Sequence, residues 1–96
     1  MTYPKQFKNE LLNALRYAAQ SKHLLDEYLT DLLTPTEYRE ITARWQVVKQ
    51  LFHKIPQRQI SKSLKIGIAT ITRGSRELQN PKGGFNKLLS TFYDKR

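Results

Sequence analysis

Three prolines do most to limit what this chain can become. Pro35, Pro56 and Pro81 each stand where an apolar repeat of helical period breaks off. Proline lacks the N–H and the freedom in φ that a helix interior or a central strand needs. Between these breaks the repeats are short. Phe7, Leu11, Leu15 and Ala18, with Leu12 and Ala19 beside them, predict a helix over 5–20. Lys8, Asn9, Asn13 and Arg16 take its other face, and the apolar stripe reads as core. Leu24, Leu25, Tyr28, Leu29, Leu32 and Leu33 predict a second, shorter helix that ends at Leu33-Thr34-Pro35. Pro35 disfavours helical geometry at Thr34 and suits the first turn of a new helix. Thr34 is then the N-cap, and Glu37 three residues later completes a capping box.

The third helix should run from Pro35 to about His53, with Ile41, Trp45, Val48 and Phe52 on its apolar side and Val47 and Leu51 adjacent. At 1.5 Å per residue it is about 28 Å long, enough to be the backbone of the fold. Trp45 on that stripe reads as a core or interface residue. Pro56 opens a fourth helix that ends near Leu64, and Lys65-Ile66-Gly67 is a turn. A fifth helix follows from Ile68 to about Gln79, stopped by Asn80-Pro81-Lys82-Gly83-Gly84. A last helix, about Phe85 to Tyr93, presents Phe85, Leu88, Leu89 and Phe92. With no strand pattern and no internal repeat, the expected fold is all-α, with about six helices.

Composition narrows this further. Ninety-six residues allow one domain or half of a shared one, and 39% apolar residues is thin for a core built alone. A shared core, and so a homodimer, is expected. There is no Cys, and His23 and His53 are separated by 29 residues, which excludes disulfides and short metal motifs. No stretch has the apolar length of a membrane span, and Met1-Thr2-Tyr3-Pro4-Lys5 does not read as a signal peptide, so a cytoplasmic protein is expected. Net charge is +9 and unevenly placed. Residues 1–53 carry seven Lys and Arg against six Asp and Glu, whereas residues 54–82 carry seven against Glu77 alone. Such a switch is the electrostatic footprint of a nucleic-acid partner. An anionic membrane would instead call for a long basic amphipathic helix with bulky anchors.

The basic segment also has an internal order. In Gln57-Arg58-Gln59-Ile60-Ser61-Lys62-Ser63-Leu64-Lys65-Ile66-Gly67-Ile68-Ala69-Thr70-Ile71-Thr72-Arg73, Ile60 and Leu64 share a face of one helix, and Ile66 and Ile71 meet them from the turn and the next helix. Ser61 is small where the helices cross. The second helix shows Ala69, Thr70, Thr72 and Arg73 outwards, short polar and basic groups that let it sit deep in a major groove. This is a helix-turn-helix, whose second helix also offers free backbone N–H groups to a phosphate. Lys65 falls where the chain tends to turn left-handed, at a cost of about 1 kcal/mol for a non-Gly residue. No nucleophile stands near a base in a recognisable motif, and no metal cluster or carboxylate pair is present, so an enzyme is not expected.

The run Gly67-Ile68-Ala69-Thr70-Ile71-Thr72-Arg73-Gly74-Ser75 resembles the recognition helix of the bacterial tryptophan repressor family. Leu33-Thr34-Pro35, Glu37, Arg44 and the long apolar helix extend the likeness over about residues 24–79. The resemblance implies a single domain over 1–96: dimerisation helices over 5–53, the helix-turn-helix over 57–79 and a C-terminal helix over 84–93. It implies an intertwined homodimer whose two heads meet major grooves about 34 Å apart. It also implies a sequence-specific transcriptional repressor gated by L-tryptophan or a related amino acid, a corepressor rather than a catalytic cofactor. Arg44 and Arg73 would sandwich the indole, since guanidinium planes stack on aromatic faces. Arg73 and Thr34 would hold the carboxylate, Gly74 would leave room for the ring edge, and backbone carbonyls near Asp31 and Leu33 would accept from the ammonium group.

On double-stranded operator DNA, Arg58 is the candidate for a direct base contact, because a guanidinium bridges guanine O6 and N7. Ile68, Ala69 and Thr70 would line the groove, Thr70 through water. Ser61, Lys62, Thr72 and Arg76 would meet phosphates. The sequence departs from the family at Glu77, where Ser is usual, at Arg76 in place of Asn, and in a connection before Gln57 that is one residue shorter. Glu77 leaves two options open: it binds the ligand's ammonium, or it fills the pocket itself. The second gives the competing expectation of a ligand-independent regulator or DNA-organising module.

Overall fold

The computed structural model describes residues 2–93, so residues 1 and 94–96 of the expected 1–96 domain lie outside it. Six helices follow one another: α1 (Lys5–Ala18), α2 (Lys22–Leu32), α3 (Pro35–Phe52), α4 (Gln57–Leu64), α5 (Ile68–Leu78) and α6 (Gly84–Tyr93). The described residues contain no strand. The chain divides into two compact units, one ending at Tyr38 and the other beginning at Arg39, one turn into α3.

In the first unit, local side-chain bonds set the helix ends. Ser21 caps α2 by accepting from the Leu24 N–H at 3.2 Å, which starts the helix at Lys22, ahead of its first leucine. Leu33 is extended (φ −109°, ψ 150°) and breaks the chain before Pro35. The capping box is complete: the Thr34 hydroxyl accepts from the Glu37 N–H at 3.1 Å, and the Thr34 N–H donates to Glu37 Oε1 at 2.8 Å. The Thr34 backbone bond, with the Thr34 side chain second, holds the Glu37 carboxyl below its ordinary value. Its contribution is therefore present above the carboxylate's ordinary range and lost as acid protonates it. The Tyr38 hydroxyl donates to Asp26 Oδ1 at 2.8 Å, which ties α2 to the start of α3.

The α1 stripe, expected to be core, is mostly open in the single chain. Ala18 is buried and Leu15 half-buried, but Phe7 and Leu12 are each 51% exposed. Two short helices offer too little facing surface to cover it.

The second unit holds the tighter core. Val47 of α3, Ile60 of α4 and Ile71 of α5 are fully buried, with Leu51, Ile55, Leu64 and Ile66 packed around them. Ile60, Leu64, Ile66 and Ile71 thus form the wedge that the spacing predicts. Two left-handed residues shape the connections. Lys65 (φ 55°, ψ 46°) ends α4, as expected, and Lys54 (φ 67°) follows α3. Each is followed by an isoleucine whose N–H reaches five residues back: Ile55 to the Gln50 carbonyl at 3.1 Å, and Ile66 to the Ser61 carbonyl at 3.2 Å. This is the left-handed helix end with its accompanying apolar contact, made here without glycine. Pro56 serves as the N-cap of α4 rather than its first residue.

Asn86 closes the other end. Its side-chain amide donates to the Leu78 and Asn80 carbonyls, both at 2.8 Å, which stops α5 and seats α6. Trp45 is half-buried and meets Phe92 edge-on, ring centres 6.4 Å apart.

A lysine held left-handed costs about 1–2 kcal/mol, and glycine returns part of that gain through its looser unfolded chain. Lys65→Gly should therefore raise stability by about 0.5–1 kcal/mol in urea unfolding. An unchanged or lower midpoint would show the turn to be unstrained.

Candidate nucleic-acid interface and cavity

The helix-turn-helix is built from α4, its left-handed end and α5. Ile60 and Ile71 are fully buried, so each helix has one face fixed inward and the opposite face turned out. The Ser61 hydroxyl donates to the Ile66 carbonyl at 2.7 Å, and Ser61 is only half-exposed. The small side chain thus braces the turn from within. Arg58 and Lys62 are exposed on α4; Ile68, Ala69, Thr70, Thr72, Arg73 and Arg76 are exposed on α5. The Thr72 hydroxyl lies 3.5 Å from Gln57 Oε1, to which it donates. Among the described residues, no ion pair engages Arg58, Lys62, Arg73 or Arg76, so four guanidinium or ammonium groups face solvent uncompensated. Gly67 caps α5 without a side-chain bond, and a Cβ there would meet nothing within 4 Å. The first turn of α5 therefore stays approachable, with its backbone donors unclaimed by side chains.

The other side of α5 borders a cavity of about 340 Å³. Arg44, Val47 and Val48 come from α3, at the one-turn spacing that places them on one face. Thr70, Arg73, Gly74 and Glu77 come from α5 at the same spacing, and Phe85 comes from the first turn of α6. The volume lies within the range of small-molecule sites, about 300–1,000 Å³. Four of the six expected ligand contacts, Arg44, Arg73, Gly74 and Glu77, meet here. Leu33 and Thr34 belong to the first unit, where Thr34 is exposed and engaged in the capping box. Val47, Val48, Thr70 as a cavity residue, and Phe85 were not expected. The first three follow from helical spacing around Arg44 and Arg73. Phe85 does not, because its place depends on the turn that Asn86 closes.

Gly74 has a sharper role than leaving room for a ring edge. A Cβ on it would stand 3.3 Å from a methyl of Val47 and 3.3 Å from a methyl of Val48, with Leu51 at 3.5 Å. The absent side chain lets α5 lie directly on α3. Arg44 pairs loosely with Glu40 at 4.0 Å, both exposed. Glu77 makes no ion pair among the described residues.

Residues 6–92 match the family described as Trp repressor protein. The chain is 38% identical over 85 residues to a Trp operon repressor homolog of Vibrio vulnificus, covering 83% of this chain and 82% of that protein. It is 42% identical over 72 residues to the homolog of Vibrio cholerae, covering 74% and 69%. It is 51% identical over 53 residues to that of Vibrio parahaemolyticus, covering 54% and 52%.

The chain belongs to the Trp repressor family. As a Trp repressor family protein it is a DNA-binding transcription regulator and not an enzyme. The matched span takes in α2 to α5 whole and all but the first residue of α1 and the last of α6. No helix among its described residues is long and apolar enough to cross a membrane.

The Gly74 contact separates two glycines of this family member by their surroundings. Gly74→Ala should cost about 1–3 kcal/mol through overpacking against Val47 and Val48. Gly84→Ala, where a Cβ meets nothing within 4 Å, should be neutral or stabilise by up to about 1 kcal/mol. Equal effects in thermal unfolding would refute the close-packing role of Gly74.

Proposed function

We propose that this Trp repressor family member is a homodimeric, sequence-specific repressor of transcription, gated by L-tryptophan or a related amino acid. The observation that carries the gating is the double use of α5. One side of that helix bears the exposed groups for DNA, and the other lines the cavity with Arg73, Gly74 and Glu77 opposite Arg44. A ligand there is held partly by the reading helix itself. Two guanidinium groups suit a planar aromatic ring and a carboxylate. The valines and Phe85 supply the apolar wall that an aromatic side chain needs. Leu33 and Thr34 complete the proposed corepressor set.

The cavity is open and Glu77 does not fold onto Arg44 or Arg73. That favours a gated protein over a ligand-independent one with Glu77 filling the pocket.

The homodimer follows from area. Phe7, Leu12, Leu32, Leu88 and Phe92 are between 47% and 51% exposed in one chain, and a second copy is the natural cover for such a spread of apolar groups. A bacterial cytoplasmic setting goes with DNA as the partner. On that DNA, Arg58 reads a base, Ile68, Ala69 and Thr70 line the groove, and Ser61, Lys62, Thr72, Arg73 and Arg76 lie along the backbone.

Two measurements test this reading. Isothermal titration with L-tryptophan should give saturable heat that Arg73→Ala abolishes; the absence of heat and of any melting shift up to millimolar ligand would refute the gating. On DNA, Arg58→Ala should cost about 1–3 kcal/mol and relax sequence preference, while Lys62→Ala should weaken all sequences alike and lower the salt slope by about 1. Equal losses for Arg58→Ala on selected and random DNA would remove its base contact.

A further inference from the structure

The charges around the cavity do not cancel as they stand. Arg44 and Glu40 are four residues apart on α3 with the acid first, the order that favours pairing along a helix, and they do approach to 4.0 Å. Arg73 and Glu77 are four residues apart on α5 with the base first, the weaker order, and no ion pair forms between them. Glu77 therefore presents a carboxylate to the cavity with no cation on it. Its place on the helix makes this worse. Glu77 is the penultimate residue of α5, where the exposed carbonyls already carry partial negative charge. Arg76, the basic residue of that last turn, is not among the residues that line the cavity. One wall of the cavity is thus a bipolar strip, positive at Arg73 and negative one helical turn on at Glu77, where a second cation is missing.

The geometry points to Glu77 as the residue that makes this site demand a protonated amine beside the carboxylate. It accepts the ammonium group of an α-amino acid and rejects carboxylic acids of the same skeleton that lack it. The inference rests on the amino-acid-gated reading above and deepens it. Arg44 and Arg73 alone would welcome any aromatic carboxylate. Glu77 repels the anion and is itself neutralised only when the ligand brings a cation, through a charge-assisted hydrogen bond. An effector that is a zwitterion fits both ends of the strip, whereas a des-amino acid fits one end and leaves the other worse off.

The test uses the full chain and two matched pairs of probes: L-tryptophan with indole-3-propionate, and L-phenylalanine with 3-phenylpropionate. Calorimetry is run on the parent protein, Glu77→Gln and Glu77→Ser, with thermal melts to establish that each variant is folded. Glu77 is exposed, so neither change disturbs the core. The parent should bind the amino acid roughly tenfold or more tightly than its des-amino partner, and both variants should collapse that ratio by weakening the first and strengthening the second. Equal affinities in the parent, or an unchanged ratio in both variants, overturn the role of Glu77 and leave the gated reading standing. Uptake of neither member of either pair by the parent overturns both.

Discussion

The contact between Gly74 and the valines of α3 is the constraint from which the rest of the molecule follows. A helix pair usually keeps its axes apart by the thickness of the side chains between them. Here one side is missing its side chain, and the Val47 and Val48 methyls come within 3.3 Å of where a Cβ would be. That approach buries Ile71 against Val47 and Ile60, which fixes α4 on α5. It also fixes the rotation of α5 about its own axis. With Gly74 facing α3, residues one turn before and after it, Thr70 and Glu77 with Arg73 alongside, fall on the cavity rim. The remaining face carries Ile68, Ala69, Thr72 and Arg76 to solvent. A single absent methyl thus decides which groups can meet DNA and which can meet a ligand.

The two left-handed lysines frame this arrangement. Lys54 and Lys65 stand at the ends of α3 and α4, and each turns the chain so that the following isoleucine packs on the same core as Val47. Glycine would make either turn at less cost in backbone strain. Lysine keeps a charge at both ends of the α4 segment, the part of the chain where positive charge is concentrated. The two turns therefore trade some stability for field, a sensible exchange in a domain whose partner is a polyanion.

Much of this could be read before any coordinates. Proline marks boundaries because it removes a donor and fixes φ, so Pro35 and Pro81 placed helix ends well. The wedge of Ile60, Leu64, Ile66 and Ile71 was visible because helical spacing and a short turn leave those residues few other places to go. Arg44 with Arg73 and Gly74 were linked by family resemblance, and the cavity contains all three. What escaped is of a different kind. The start of α2 depended on one hydroxyl, Ser21, whose capping bond outweighs the apolar pattern that begins at Leu24. The left-handed turn at Lys54 has no composition signal, since lysine rarely adopts it. Phe85 reaches the cavity because the Asn86 amide bridges two carbonyls at the end of α5, an arrangement with no periodicity to announce it. The burial of α1 could not be judged from its stripe either, because amphipathicity shows that a face needs covering and not by what.

Linkage sets the last condition on a helix used from both sides. If a ligand between α3 and α5 raises the affinity of the reading face for DNA by some factor, DNA must raise the affinity for the ligand by the same factor. The coupling needs two arrangements of the head that the ligand distinguishes. Within the second unit, the close contact at Gly74 resists separation of α5 from α3, while the ends of α4 are held by single left-handed residues and one serine hydroxyl. Motion is therefore cheaper at the α4 ends than at the Gly74 contact. A ligand bridging Arg44 and Arg73 would act mainly by narrowing the tilts available to a head already seated on α3. Gating of that kind works by restricting an ensemble, and its strength is bounded by the ligand's differential affinity for the narrowed state.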